Sequence, residues 1–237
     1  MHPRYIVFIL VLLLHARVAT AGPNTASELV IFHPLAAHYQ ETRRVAGTPL
    51  ESADWYFTRQ DKQVESARAD YAEVWQRDDR NELTLTRVFQ RDRKLIQYTP
   101  GELRTQGRQQ DWTTLNSIFD PRQLAMMKQV GTVTFLGRSA SRYTGKLNGE
   151  NIEVLWLSQD AIAAKITRSG KDGSVSLTLK ELRTSPDSRW PQANLAKAEQ
   201  YAFLDGADLG DMEYDPFVQR VLGLDGGHGA HAQPHSH

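Results

Sequence analysis

The sequence predicts a mainly β protein with a few helices (α+β), built on a single antiparallel sheet. Three observations predict it: short runs of alternating apolar and polar residues separated by Gly, Pro or charged turns, an Asn-Gly pair between two such runs, and no internal repeat of fixed period. The 237-residue chain lies within the size range of one all-β domain. We expect that domain over residues 22–204.

Residues 1–21 have the layout of a cleaved secretory signal peptide. Charged or polar residues at the start (His2, Arg4) precede the apolar run Ile6–Leu14 and the small-residue site Ala19-Thr20-Ala21. The apolar run is about half of the ~20 residues that a membrane span needs, so a periplasmic location is expected, with an uncleaved anchor as the alternative. The chain has no cysteine, which excludes lipid attachment at a cysteine, disulfides and thiolate metal sites.

The first half of the predicted sheet is an antiparallel meander. In one of its strands, Leu83, Leu85 and Phe89 share a face, so one side of that strand packs on a core. Pro100-Gly101 predicts a turn after the last strand. The four predicted strands are Asp54–Gln60, Tyr71–Arg77, Leu83–Gln90 and Lys94–Thr99.

The segment Asp111–Lys128 predicts one broken helix. Apolar residues recur there at helical spacing, Asp111 or Thr113 is placed to cap the helix, and Pro121 interrupts it. This helix is inserted between the two halves of the sheet. We expect it to cover one sheet face.

Two hairpins complete the predicted sheet. Asn148-Gly149 joins Tyr143–Leu147 to Ile152–Trp156, which is the strongest short-range hairpin signal in the chain. A second pair, Ala163–Arg168 and Ser174–Leu182, is joined through a Gly-rich turn.

The C-terminal residues divide into an acidic segment, 205–225, and a His-rich flexible tail, 226–237. The acidic segment gathers five carboxylates, but Pro216 stands where a calcium-binding EF-hand loop needs its glycine, so a polar turn is favoured. The tail carries four imidazoles, which are ligands for copper, zinc or nickel. A tail without fixed geometry would recruit or buffer a metal rather than hold a catalytic ion, and a solvated end is the alternative. The four tail residues are His228, His231, His235 and His237.

Three short motifs near the N-terminus give the chain a family resemblance. Tyr39-Gln-Glu-Thr-Arg-Arg-Val45, Pro49-Leu50-Glu-Ser52 and Trp55-Tyr-Phe57 resemble the start of the periplasmic LolA-like proteins, the lipoprotein carrier and receptor superfamily. In that family an aromatic-x-Gln helix precedes a PL-x-S step into the first strand. Tyr143-x-Gly145, the Trp156 strand and the hairpin that follows extend the resemblance, although the family's Arg-Pro step after the second strand is missing here.

The resemblance implies a curved, half-barrel sheet lidded by helices, with an apolar cavity that accepts acyl chains. The segment Asp111–Lys128 would be a lid, and Arg43 or Arg44 on the first helix would latch it through backbone carbonyls or contact a polar head group. The alternative for Arg43 and Arg44 is that they are solvated side chains. The alternative for the candidate cavity residues is that they belong to an ordinary hydrophobic core. The candidate cavity residues are Trp75, Phe89, Trp112, Leu115, Ile118, Met126, Met127 and Trp156.

These features favour an exported, non-catalytic binding protein. The chain has no nucleophile elbow, P-loop, HExxH or GxGxxG motif, and its 28 basic and 28 acidic residues balance, so neither an enzyme nor a nucleic-acid-binding protein is expected. We expect a monomer that binds an apolar or acyl ligand or an envelope protein, with transient membrane-side partners and no required cofactor. The alternatives are a metal-handling accessory that uses the His-rich tail, and an envelope stress sensor or scaffold.

Overall fold

A computed structural model describes residues 32–147 and 149–229, with side chains up to residue 224. The predicted signal peptide, Asn148 of the predicted turn and residues 230–237 lie outside the described residues. Twelve strands belong to one sheet: β1 (Leu35–Val45), β2 (Glu51–Arg59), β3 (Gln63–Ala67), β4 (Ala72–Arg77), β5 (Leu83–Phe89), β6 (Lys94–Tyr98), β7 (Lys128–Phe135), β8 (Arg138–Leu147), β9 (Glu150–Leu157), β10 (Ile162–Gly170), β11 (Gly173–Arg183) and β12 (Ala202–Asp205).

Five short helices accompany the sheet. They are α1 (Pro100–Thr105), α2 (Trp112–Ser117), α3 (Pro121–Ala125), α4 (Leu195–Ala198) and α5 (Pro216–Gly229). Among the described helices, none combines the length and the apolar character that crossing a membrane requires.

The sheet is open and curved, with the strand order β12-β6-β5-β4-β3-β2-β1-β11-β10-β9-β8-β7. Each half is a meander, and β1 joins the halves by pairing with both β2 and β11. This confirms the predicted single sheet. It differs from the prediction in one pair, because β12 runs parallel to β6.

The helix expected around Tyr39, Arg43 and Arg44 is wrong, because these residues belong to strand β1. Tyr39 pairs with Trp55 on one side and with Leu179 on the other. A strand with hydrogen-bonded neighbours on both sides satisfies its backbone groups within the sheet, and this tertiary pairing overrides local helix preference.

Pro100-Gly101 begins helix α1 rather than forming an isolated turn. The hydroxyl of Thr99 accepts a hydrogen bond from the Glu102 amide, and the Glu102 carboxylate accepts one from the Thr99 amide at 2.6 Å. This reciprocal capping box satisfies two free amides, and proline is well tolerated at the first helical position.

The predicted hairpins are confirmed. β8 pairs with β9 and β10 pairs with β11 in antiparallel register, with Tyr143 opposite Val154 and Ile166 opposite Leu177. The predicted meander strands are confirmed as β2, β4, β5 and β6. The five-residue strand β3 was not predicted, because Gln63–Ala67 has little apolar character of its own.

One face of β3, β4 and β5 packs beneath the chain segment that contains α4. Glu65 lies at this contact, where its carboxylate accepts a hydrogen bond from the Ala193 amide at 2.6 Å. The buried residues of this cluster are Ala67, Ala72, Val74, Val88, Ala193 and Ala198.

Residues 32–206 belong to one compact unit, and residues 207–229 fall outside it. In the latter, a short 3-10 helix (Asp208–Gly210) precedes α5. Leu209, Phe217, Val218 and Val221 are buried there. The domain boundaries expected from the sequence stay a prediction.

Candidate functional site

Two short helices, α2 and α3, form the segment that we call the lid (residues 111–127). Asp111 caps α2 by accepting a hydrogen bond from the Thr114 amide at 3.0 Å, and Asp120 caps α3 by accepting one from the Arg122 amide at 2.8 Å. Ile118 ends α2 with a φ of 67°. The predicted broken helix is therefore confirmed as two capped helices.

Arg59, at the end of β2, holds the lid to the sheet. Its Nη1 atom donates to the carbonyl of Asn116, near the end of α2, at 2.7 Å and to the carbonyl of Ala161 at 3.1 Å. Its Nη2 and Nε atoms donate to the carbonyls of Asp160 and His33, at 2.5 and 2.9 Å. One guanidinium thus links β2, α2, the β9–β10 turn and the N-terminal segment.

The Arg59 side chain is 1% exposed, and its guanidinium also lies 5.0 Å from the Phe32 ring centroid. Burial lowers the pKa of Arg59 to about 10, and the nearby Tyr39 and Asp160 oppose this shift. The guanidinium therefore stays charged at neutral pH. A buried charge is tolerated when it is hydrogen-bonded, and here each of the three guanidinium nitrogens donates to at least one carbonyl.

The β9–β10 turn that receives Arg59 is itself anchored. The Tyr39 hydroxyl donates to the Ala163 carbonyl at 2.6 Å, and burial raises the pKa of that phenol above its ordinary value. Arg138 binds both carboxylate oxygens of Asp160, at 2.9 and 3.0 Å. The turn is therefore a fixed point against which the lid is held.

At the end of the lid, the second methionine of the Met126-Met127 pair faces the sheet. A Cβ placed on Gly145 of β8 would lie 3.2 Å from Met127 Cγ, so the two residues are in close contact. The Met126 side chain is 79% exposed, and Met126 is therefore left out of the proposed binding surface.

The other candidate cavity residues differ in burial. Trp75, Phe89 and Trp156 are buried in the sheet, at 5–7% exposure. Trp112, Leu115 and Ile118 on the lid are half-buried, as is Met127. The lid residues and the sheet residues therefore contribute different parts of the predicted surface, and their role in binding stays a prediction.

A cavity lies beside the start of the lid. Its volume of about 380 Å³ is within the size range of small-molecule sites. Of the predicted residues, Trp112 lines it, and the Arg77 guanidinium lies 4.7 Å from the Trp112 ring centroid. The cavity lining is partly polar, with an ion pair between Arg104 and Glu82 at 3.2 Å. The remaining lining residues are Asn81, Leu83, Pro100, Leu103, Gln109, Gln110 and Asp111.

Two ion pairs lie among the apolar side chains of β1 and β3–β5. Glu41 and Arg68 are 2.8 Å apart, and Glu73 and Arg87 are 3.1 Å apart. The Arg87 side chain is 0% exposed. These pairs place charged groups among the buried side chains of this part of the sheet.

The arginines expected to contact the lid or a head group, Arg43 and Arg44, lie on β1, opposite Val175 and Ser174 of β11. Arg44 is exposed and Arg43 is half-buried. The arginine that binds a backbone carbonyl of the lid is Arg59, which sequence reasoning missed. Its signal was the alternation Trp55, Phe57, Arg59, which puts an arginine on the apolar face of a strand.

The predicted metal ligands lie at the limit of what is described. His228 belongs to α5, but its side chain is not described, and His231, His235 and His237 lie outside the described residues. Within the described part of the chain, no group of three His, Asp or Glu side chains is arranged to hold a metal ion. The tail as a metal site therefore stays a prediction.

Solved structures similar to this chain come from several kinds of protein. PNGF-II matches with a TM-score of 0.43 and 13% identity, covering 77% of this chain and 33% of PNGF-II, so this chain spans about a third of that protein. A chain of the Pseudomonas aeruginosa MucA/MucB complex matches with a TM-score of 0.36 and 14% identity, covering 68% of this chain and 56% of that one.

A third structure comes from the superfamily that the sequence resembles. That structure, of a LolA superfamily protein from Nitrosomonas europaea, matches with a TM-score of 0.32 and 6% identity, covering 68% of this chain and 90% of that one. No protein-family model and no curated protein matches the chain.

Proposed function

We propose that this is an exported, non-catalytic binding protein of the cell envelope that holds the apolar part of a ligand between the sheet and the lid. The observation that carries the proposal is the attachment of the lid. Arg59 fixes the end of α2 to the sheet through the Asn116 carbonyl, and α2 and α3 are only six and five residues long. Helices this short have little stability of their own, so their position depends on such contacts.

The chemistry of the lid favours an acyl chain or a similar apolar group. The half-buried side chains of the lid include four large apolar residues, Trp112, Leu115, Ile118 and Met127. A thioether and aromatic rings adapt to flexible apolar ligands. The resemblance to lipoprotein carriers implies the same class of ligand. A partner protein docked on this face is the other form of the proposal.

The test compares adjacent methionines. The mature chain, freed of copurified lipid, is titrated with a dansyl-labelled fatty acid, as wild type and as the Met127→Lys and Met126→Lys variants. We expect saturable binding that Met127→Lys weakens at least tenfold, because an ammonium group beside an acyl chain is poorly solvated. Met126 is 79% exposed, so Met126→Lys should bind like wild type.

Circular dichroism of both variants confirms that each is folded before binding is compared. Equal binding by wild type and folded Met127→Lys would overturn the acyl site beneath the lid. Absence of binding by wild type would do the same.

We also propose, as a second function, that the C-terminal tail binds copper, zinc or nickel. The supporting observation is in the sequence, where four of the last ten residues are histidine. Neutral imidazole is a common ligand for all three metals. The tail would recruit metal to the envelope rather than form a rigid catalytic centre.

Calorimetric titration of Cu(II), Zn(II) and Ni(II) into the mature chain and into a version ending at Leu224 tests this function. Tight binding that is lost on truncation is the expected result. Equal binding by both versions, or by neither, would contradict a metal site in the tail.

A further inference from the structure

Strand β7 differs from the other strands in how much of it is exposed. Seven of its eight residues are exposed and Phe135 is half-buried. It pairs with β8 and stands last in the strand order. Among the described residues no strand pairs with its outer side, so its outer backbone groups are available to pair with another strand.

The apolar character of this edge is unusual for an exposed strand. Val130 is 45% exposed and Val133 is 38% exposed, and Met126 and Leu136 at either end are 79% and 52% exposed. An exposed edge strand that carries apolar side chains is a template for pairing with another strand.

Charged residues and irregular register usually protect an edge strand from pairing, and in β7 both occur only at its start. Lys128 supplies the strand's single charge, and the pairing with β8 shifts register between Gln129 and Gly131. The stretch from Gly131 to Phe135 has no charged residue, no proline and three β-branched residues, which is a composition that favours pairing.

We propose that two copies of this chain associate by antiparallel pairing of their β7 strands about a two-fold axis at Val133. In this register Val133 faces Val133 of the second copy. Thr132 faces Thr134, and Gly131 faces Phe135. Valine pairs, threonine pairs and glycine covered by an aromatic ring are all favourable cross-strand neighbours, and the paired stretch from Gly131 to Phe135 contains no charged residue.

Because the β7 sequence is self-complementary in this register, the partner that fits it is β7 of a second copy of the chain. An isologous contact closes at two subunits. The opposite edge of the sheet, β12, has four residues, ends in Asp205 and pairs in parallel, so it offers a poor template for adding further copies. The proposal therefore replaces the monomer expected from the sequence with a dimer, and it does not depend on the ligand beneath the lid.

Light scattering of the mature chain over a wide range of concentrations gives the first test. We expect the mass to rise toward twice that of the chain. Val133→Lys places two ammonium groups opposite each other and should leave a monomer. Phe203→Lys is the matched control, because Phe203 is 58% exposed on the other edge, and it should dimerise like wild type.

Engineered cysteines test the register, since the natural chain has none. Opposed residues have Cβ atoms about 5 Å apart, so Val133→Cys should form a disulfide-linked dimer under mild oxidation. In the same register the two copies of residue 130 are about 20 Å apart, so Val130→Cys should not. A monomer at every concentration, a dimer of Val133→Lys, or equal cross-linking through residue 130 would overturn the proposal.

Discussion

Arg59 donates a hydrogen bond to the carbonyl of Asn116 at 2.7 Å, which joins the end of a sheet strand to the end of the lid helix α2. The two residues are 57 positions apart in the chain. A helix end exposes carbonyls without helical partners, and a cation placed there is favourable for both the hydrogen bond and the helix dipole. The contact therefore fixes the end of α2 to the sheet.

Replacing Arg59 should destabilise the protein and free the lid. In Arg59→Leu the carbonyls of Asn116, Asp160 and Ala161 lose their donor, and unsatisfied buried acceptors cost about 1–3 kcal/mol each. We expect a loss of roughly 4 kcal/mol in the free energy of unfolding, measured in urea. Hydrogen exchange of the α2 and α3 amides should accelerate more than that of β4 and β5.

Arg44→Leu is the control for this prediction, because Arg44 is exposed on β1. It should change the free energy of unfolding by less than about 0.5 kcal/mol. Equal stability of Arg59→Leu and Arg44→Leu would show that the carbonyl contacts of Arg59 do not hold the lid.

We expect Glu65 to make the free energy of unfolding depend on pH. Burial raises the pKa of its carboxyl, and the hydrogen bond from the Ala193 amide opposes that shift. A raised acid pKa means that the fold prefers the protonated form. The stabilising contribution of protonated Glu65 is therefore complete below the unfolded pKa of about 4.3 and is lost as the pH rises through the folded value.

Glu65→Gln should remove this dependence while keeping an oxygen for the Ala193 amide. We expect the variant to be about 1 kcal/mol more stable than wild type at pH 7, with the difference shrinking as the pH falls toward 4. Urea unfolding at a series of pH values measures it, and Glu51→Gln, at an exposed position, provides the baseline. A wild type more stable than Glu65→Gln at pH 7 would mean that the charged hydrogen bond outweighs the cost of burial.

Gly206 lies against the ring of Tyr98. A Cβ at this position would lie 2.3 Å from Cδ1 and 2.6 Å from Cε1 of Tyr98, which is 0% exposed. Gly206→Ala therefore needs a shift of a buried ring or of the backbone, and we expect a loss of about 2 kcal/mol in thermal or urea unfolding.

Gly101→Ala is the matched substitution. Its Cβ would meet Thr99 Oγ1 at 3.9 Å, an ordinary contact, and alanine favours helix α1. Its stability should equal or slightly exceed that of wild type. If both alanine variants have the same stability, the close contact with Tyr98 does not constrain the fold.

Local patterns predicted the parts of the fold that depend on neighbouring residues. Strands β4 to β6 and the β8–β9 hairpin were predicted because alternation and turn residues encode them within a few positions. The capping box of Thr99 and Glu102 was equally local, and the helix it begins was nevertheless missed in favour of a turn at Pro100-Gly101.

What could not be predicted depends on contacts between distant parts of the chain. β1 lies in the middle of the sheet because it pairs with β11, about 140 positions away. The family resemblance had instead predicted a helix for this segment. Arg59 binds carbonyls at Asn116, Asp160 and Ala161, which no local pattern connects to β2. Of the candidate cavity residues, the sequence could not separate exposed Met126 from half-buried Met127.

Mapping where a fatty acid binds is the most direct test of the proposed ligand site between the lid and the sheet. The mature chain is incubated with a fatty acid that carries a photoreactive diazirine, irradiated, digested and analysed by mass spectrometry. We predict cross-links to the lid and to the β8 segment around Gly145, which Met127 contacts, and their loss when unlabelled fatty acid competes. Cross-links confined to other segments, or none that competitor removes, would contradict a ligand site beneath the lid.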